Sequence, residues 1–401
     1  MSVDVADGLG ELPADADGEF DELRAAADAD ADAANSGGRM KIVVTGATGN
    51  VGTALVRALT GADDELVGIA RRCPPAGRDE DARVRWVPCD IGDPTAFPVL
   101  ADACAGADAV VHLAWAVHPR RTDPPMSRTN AVGSARVLRA AAAGGVRQVV
   151  CASSAAAYAP GPRWQCADEH APLGGVPGSA YSLAKAYLET QLDEFERREP
   201  SIRVARIRPG GIGQGEAAGE LADWLLPQWL PRTLIGRRWL PVPLWKDLRL
   251  QLIHADDVAA AVVLILRQRA AGAFNLAAEP VLPAVALAAS FGGFRLPCPR
   301  RAASAVTRAG WRLGLQPLHP GWLTLADQAR LVDAERARRD LGWSPRHDAT
   351  AICAELATAM RTGRRGPSAP LAPPHLDLRL GRPTHQSQVP PPDSHPHTRL
   401  D

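Results

Sequence analysis

Lysine and tyrosine are both scarce in this 401-residue chain: its lysines are Lys41, Lys185 and Lys246, against 45 basic residues in all, and it has three tyrosines. Long runs of one charge are missing too. Acidic and basic residues balance at 45 each, so there is no electrostatic footprint for nucleic acid or for an anionic membrane, and small molecules become the expected partners. The seven cysteines (73, 89, 104, 151, 166, 298 and 353) contain no C-x-x-C pair and are odd in number. That argues against a disulfide framework or a zinc ribbon and for free thiols, mostly buried, in a reducing compartment. No apolar stretch is long enough to span a bilayer, which needs about twenty residues; "VAAAVVLIL" at 258–266 is closed off by Asp257 and Arg267. The chain opens with acids rather than a basic segment and an apolar core, so no secretory signal is read there. A cytoplasmic protein is expected.

What is present is ample apolar material, 46% of all residues, enough for a large buried core. The two ends differ from the rest. Residues 1–39 are an acidic, Ala- and Gly-rich extension, and the segment 363–401 is rich in proline and holds His375, His385, His395 and His397 at spacings that match no metal-ligand pattern. Both are expected to be disordered, because neither buries enough apolar surface to offset its ordering entropy. No metal site is expected.

Between the ends, short β-branched runs at 41–47, 65–70, 84–90, 108–114, 146–154 and 202–210 alternate with helical stretches at 51–60, 94–104, 129–143 and 179–197. Parallel strands require crossovers, so this alternation predicts an α/β, doubly wound parallel sheet with helices on both faces. The expected division is a dinucleotide-binding Rossmann-like domain at 40–211, to which 253–275 returns. A smaller substrate-binding lobe at 212–252 and 276–362 completes it.

Two motifs carry chemistry. "VVTGATGNVGTALVRAL" leaves the first strand, passes Gly46, Gly49 and Gly52 with Thr48, Asn50 and Val51 between them, and enters an amphipathic helix. Glycines at this spacing allow a tight turn, close approach of backbone to a pyrophosphate and close helix packing, and the helix amides then face the anion. Downstream, "GSAYSLAKAYLE" places Tyr181 four residues before Lys185, on one face of a helix. An ammonium beside a phenol favours phenolate, so the pair is expected to lower the Tyr181 pKa into a useful range for proton transfer. "VVCASSAAAY" offers Ser153 and Ser154 at a strand end, where active sites of such sheets lie.

The order T-G-x-x-G-x-x-G followed by Tyr-x-x-x-Lys resembles the extended, epimerase/dehydratase branch of the short-chain dehydrogenase/reductase superfamily over roughly residues 40–360. The resemblance implies that Lys185 also holds the nicotinamide ribose, and that the hydroxyl four residues before Tyr158, Ser154, orients the substrate oxygen, with Ser153 as the fallback. By the same resemblance Asp90 and Ile91 meet adenine, Ala114 lies along the cofactor, Asn130 opens a helix, Pro209 and Gly210 stand near the nicotinamide, and "IHADDVAAAV" leads back into the Rossmann domain. "RARRDLGWSP" is similar to the family's late helix and Gly-Trp turn.

The cofactor is NADP or NAD. Arg71 and Arg72 follow the second strand, where an acid would hold the ribose hydroxyls of NAD, and they tip the expectation toward NADP through its 2′-phosphate. The reaction implied is hydride transfer at a secondary alcohol or ketone with Tyr181 as acid/base, either transient, as in an epimerase or dehydratase, or net, as in a ketone/aldehyde reductase. A dinucleotide-sensing binding protein is the non-catalytic alternative. Substrates are alcohols, ketones or nucleotide sugars, and a homodimer is compatible with the pattern. One departure weakens the nucleotide-sugar option: Leu250 stands four residues before His254, where the family commonly has a diphosphate-gripping arginine, leaving Arg237, Arg238 or Arg249 to compensate. The segments 212–252 and 276–350, rich in Trp, Pro and Leu, are expected to line the substrate pocket, or else their tryptophans fill a small core or a subunit contact.

Overall fold

The computed structural model describes residues 39–74, 83–117, 125–226, 231–316, 318–368 and 370–371. Seven strands form one parallel sheet: β1 (Lys41–Thr45), β2 (Glu65–Ala70), β3 (Val84–Pro88), β4 (Ala109–His112), β5 (Gln148–Ala152), β6 (Arg203–Pro209) and β7 (Gly272–Leu276), in the order β7-β6-β5-β4-β1-β2-β3. The reversal of order between β1 and β4 is where ligands bind in such sheets, beyond the strands' carboxyl ends.

The inner strands are buried on both faces, and their side chains alternate between two apolar layers. Ile42 and Val44 point into a layer shared with the helices α1 (Asn50–Leu59) and α6 (Ala255–Gln268), through Leu55, Leu59, Val258 and Ile265. Val43 points the other way, into a layer with α2 (Ala96–Cys104), α3 (Ser134–Ala143) and α4 (Ala180–Arg198), through Leu100, Val137 and Leu192. The doubly wound sheet read from the sequence is therefore present, with observed strand ends within a few residues of those expected. α4 shows the local logic clearly. Gly178 at φ +85° turns the chain, Ser179 accepts from the Ser182 amide at 3.4 Å, and Arg197 and Arg198 close the last turn at the negative end of the dipole.

A third core belongs to a second lobe. Ala218 and Ala222 of α5 (Ala218–Leu225), Trp245, Leu252, Leu282 and, from the later helix of residues Ala349–Thr362, Ile352 and Met360 pack together there. Two assignments made from sequence shift. Residues 334–343, grouped with the lobe, send Ala337, Leu341 and Trp343 into the core layer of β1 and α6 instead, and the Trp343 indole donates to the Asp257 carbonyl at 2.9 Å. Gly342, at φ +65°, makes the turn that permits this.

The tail expected to be disordered from 363 is also ordered at its start. The Gly366 amide donates to the Glu216 carbonyl at 3.0 Å, Leu371 is fully buried, and Ser368 reaches the first glycine-rich loop. The rest of the expected tail, and the acidic extension before residue 39, lie outside the described residues. All seven cysteines are free, but only Cys104, Cys151 and Cys353 are buried, while Cys166 is exposed. Among the described residues no helix is long and apolar enough to cross a membrane.

Candidate active site

The carboxyl ends of β1, β4, β5 and β6 are neighbours in the sheet, and each delivers one wall of a cleft. From β1 the chain enters the glycine loop. Gly46 has φ +72°, and a Cβ there would lie 2.6 Å from the Ala114 amide nitrogen; one on Gly52 would lie 2.2 Å from the Gly46 carbonyl. Only glycine fits either place, so the loop lies flat against the turn after β4. α1 begins at Gly49 with no side-chain cap, which leaves its first amides for an anion. The amides around Asn50 and Val51 could hold the pyrophosphate of a dinucleotide here.

The second lobe roofs this loop in a way the motifs did not announce. Gln214 donates to the Asn50 carbonyl at 2.9 Å and to its side-chain oxygen at 2.7 Å, and the Ser368 hydroxyl donates to the Thr48 carbonyl at 2.7 Å. Further along the cleft the Asp90 carboxylate accepts from the Gly92 amide at 2.9 Å and faces Arg128 at 3.8 Å, while Ile91 is buried against Gly133. Arg71 and Arg72 are exposed beyond β2. Glu220 on α5 is pushed up to about 7, chiefly by burial and by Asp223, with the charge of Arg72 opposing. The charge of Glu220 is therefore coupled to Arg72, one of the two arginines expected to favour NADP.

β4 ends in His112, which is buried between Thr45, at 2.7 Å from Nδ1, and Ser134, at 2.8 Å from Nε2. Asn130, inside the π-helical turn Arg128–Gly133, clamps the next loop: its Oδ1 accepts from the Ala116 amide at 2.7 Å and its Nδ2 donates to the Ala116 carbonyl at 2.9 Å. This holds Trp115, whose buried indole nitrogen has no hydrogen-bond partner among the described residues. Pro209 is buried at the end of β6, opposite Leu276.

Ser154 lies beside Tyr181, where its hydroxyl opposes the rise that burial gives the phenol's pKa, and its oxygen accepts from the Ala156 amide at 3.1 Å. The fallback does not hold. Ser153 is turned away under the sheet edge and binds the buried Glu189 carboxylate at 2.5 Å. Successive residues of an extended chain face opposite sides, so one serine serves the cleft and the other the core.

The expected acidification of Tyr181 is corrected by the structure. Burial pushes its phenol above the ordinary tyrosine value, and it is Ser154, not Lys185, that opposes the rise. Although both side chains leave one helical face, the Lys185 ammonium donates to the Ala152 carbonyl at 2.7 Å and sits 3.6 Å over the Trp115 ring. Burial pushes Lys185 down to about 7.

These buried bases give a pH signature. His112 is pushed down to about 3, first by burial and then by the charge of Lys185. A base with a depressed folded pKa contributes stability above its unfolded pKa and loses it as pH falls. For His112 the loss runs from the ordinary 6.5 down to about 3. Glu220 works in the opposite sense, losing its contribution as pH rises from 4.5 to about 7. Denaturant midpoints measured from pH 8 to pH 4 are expected to fall less steeply in His112→Gln than in the wild type; parallel curves would remove His112 as the cause.

Sequence reasoning missed a buried ionic network behind the cleft. Glu189 receives Arg208 Nε at 2.7 Å and Nη2 at 2.9 Å, and Arg206 Nη1 at 3.2 Å. Arg208 also donates to the Tyr158 hydroxyl at 2.9 Å, which donates onward to Asn275 Oδ1 at 2.8 Å. Glu189 lies one helical turn beyond Lys185, a spacing that was legible; the arginines that answer it come from a distant strand.

The segment 212–252 gives core rather than pocket at Trp245, which is buried and donates to Asp327 at 2.8 Å. The tryptophan beside Tyr181 is Trp322, from the segment 276–350, with ring centroids 5.1 Å apart. Arg249 does not compensate for Leu250. It is buried, and its guanidinium donates to the carbonyls of Arg163, Asp327 and Ala329 at 2.5, 2.9 and 3.0 Å.

Among the described residues His254, Asp256 and His347 form one group with metal-ligand atoms within 4.8 Å of one another. The two rings are stacked at 4.0 Å, His254 Nδ1 accepts from the Asp256 amide at 3.2 Å, and His347 Nδ1 meets Asp257 at 3.0 Å. Stacked rings send their in-plane lone pairs along parallel planes, and the nitrogens named here serve a helix cap and a hydrogen bond to Asp257.

Comparison with known proteins agrees with this geometry. A 3-diazoavenalumate denitrifying reductase from a Streptomyces species is 30% identical over 320 residues, covering 77% of this chain and 97% of that protein. A 2′-dehydrokanamycin reductase from Streptomyces kanamyceticus is 30% identical over 250 residues, 61% of this chain and 63% of that protein. The structure of a dTDP-glucose 4,6-dehydratase from Streptomyces venezuelae, solved with NAD bound, superposes with a TM-score of 0.60 at 22% identity, covering 81% of this chain and 98% of that one. The sequence profile of the NAD dependent epimerase/dehydratase family matches residues 42–277. With the glycine cradle, the switch-point cleft and the Tyr181–Lys185 helix in place, this chain belongs to the NAD-dependent epimerase/dehydratase family of enzymes.

Proposed function

We propose that the protein is a dinucleotide-dependent oxidoreductase that reduces a carbonyl to the secondary alcohol, with residues 40–211, 253–275 and 334–343 as the cofactor domain and 212–252, 276–333 and 344–362 as the substrate lobe. The observation that carries this reading is the position of the Tyr181 phenol at the carboxyl edge of β5, beside Ser154 and kept protonated by burial. When bound, the dinucleotide supplies the hydride.

The chain's own residues do the rest. Ser154 orients the substrate oxygen, and Tyr181 donates its proton to that oxygen as charge develops there. The phenol is protonated at neutral pH and so is available as the donor, although burial makes it a weaker acid than a free tyrosine. Lys185, freed from the Ala152 carbonyl, would hold the ribose hydroxyls, and the Trp115 indole N–H would find an acceptor on the cofactor or substrate. The names of both curated relatives end in "reductase". The glycine cradle serves NAD and NADP alike, while Glu220 facing Arg72 supports NAD.

The transient oxidation of an epimerase or dehydratase is the second reading, supported by the family match. Single-turnover incubation with dinucleotide deuterated at the nicotinamide C4 separates the two. Net reduction is expected to place deuterium on the carbinol carbon and leave oxidised cofactor. Substrate deuterated at the carbinol carbon that emerges as product with its label retained and the cofactor again oxidised would favour the epimerase or dehydratase. No transfer to any member of a ketone and aldehyde panel would return the protein to the binding-only class.

A further inference from the structure

We propose that the cavity where α4 meets the second lobe is a recognition site for a flat, uncharged aryl group, with Trp322 as its specificity-determining residue; the inference rests on the oxidoreductase reading for the role of Tyr181. The cavity encloses about 200 Å³. That volume suits one ring and its substituent, and the cavity is open on one side.

Its walls set the shape. Trp322, from α7 (Pro320–Gln328) of the lobe, leans on Tyr181 with an interplanar angle of 32°. Tyr187 and Met126 line the cavity with them, and Ala131 and Ala184 are small enough to let a planar group slide between. Flat, polarisable surfaces that converge on a reacting hydroxyl favour a π-system over a puckered ring.

Two of the polar side chains around it are already engaged: the Asn130 amide is committed to Ala116, and the Ser179 hydroxyl accepts from the Ser182 amide. His319 offers a directed donor: its Nδ1 accepts from the Gly321 amide at 3.1 Å, which places the neutral ring's proton on Nε2. Burial holds His319 below the ordinary histidine value, so the ring stays uncharged near neutral pH. Among the described residues lining the cavity there is no arginine, lysine, aspartate or glutamate. A diphosphate is gripped by charge-assisted, often bidentate hydrogen bonds, and Arg249 has given its donors to three carbonyls.

The test uses the full chain saturated with NAD and three probes read by saturation-transfer NMR: 1-phenylethanol, its saturated twin 1-cyclohexylethanol, and UDP-glucose. Phenylethanol is expected to bind more tightly than the cyclohexyl twin, and UDP-glucose not to compete with it. Trp322→Ala is expected to weaken phenylethanol by at least about tenfold, as removal of a central aromatic contact does, with Trp322→Phe restoring most of the loss. Retained NAD in both variants controls for folding. Equal binding of the two alcohols, competition by UDP-glucose, or indifference to Trp322→Ala overturns the aryl site. A Tyr181→Phe protein with wild-type turnover would instead sink the catalytic reading while Trp322-dependent binding stood.

Discussion

Tyr181→Phe is expected to lower turnover by about 10²- to 10⁴-fold, the usual worth of a positioned proton donor, while dinucleotide affinity stays nearly unchanged. The substitution deletes one oxygen and leaves the ring that packs against Trp322 and the small core of Ala156, Val176 and Leu325. Lys185 is held by the Ala152 carbonyl and the Trp115 face rather than by the phenol, so its position does not depend on the deleted group. The loss should therefore appear in the chemical step. Steady-state rates together with fluorescence titration of NADH separate the two quantities. Wild-type turnover in the variant would remove Tyr181 from the mechanism, and parallel loss of cofactor binding would make its role structural.

Glu189→Ala is expected to cost about 3–5 kcal/mol of folding stability, the range for removing one partner of a buried ion pair. Glu189 is 1% exposed, and Arg206 and Arg208, at 5% and 3%, would keep their charges with no buried carboxylate between them. Burial drives the Glu189 carboxyl upward, but the hydrogen bonds and charge of Arg208, helped by Ser153 and Arg206, outweigh it and hold the group below its ordinary value. Its contribution is thus present at neutral pH and lost as pH falls through the acid range. Denaturant midpoints for Glu189→Ala and Glu189→Gln provide the check, with the amide expected to recover part of the loss by hydrogen bonding. A midpoint for the alanine variant within error of the wild type would show that the arginines find other partners.

The network around Glu189 also shows where sequence reading stopped. Ser153 and Ser154 are adjacent and chemically identical, and their separation into core and cleft depends on which face of β5 meets α4. Tyr181 and Lys185 were legible as a pair because four residues make one helical turn. The same spacing led to the wrong electrostatic expectation, since it says nothing of the Ala152 carbonyl and the Trp115 ring that draw the ammonium away. Trp322 was out of reach for a different reason: it lies 141 positions from Tyr181 in the chain and carries no periodic signal linking the two.

The sequence by itself determined the parallel sheet, its order of strands and helices, and the glycine loop. Those features rest on local rules: hydrophobic periods of two and 3.6 residues, and backbone positions that only glycine can occupy. Tertiary structure alone decided which serine faces the cleft, where the lysine's charge goes, what covers the phosphate loop and which rings shape the substrate cavity. Each of these is a contact between distant segments, and the desolvation and hydrogen bonding that fix its energy exist only once the chain has brought them together.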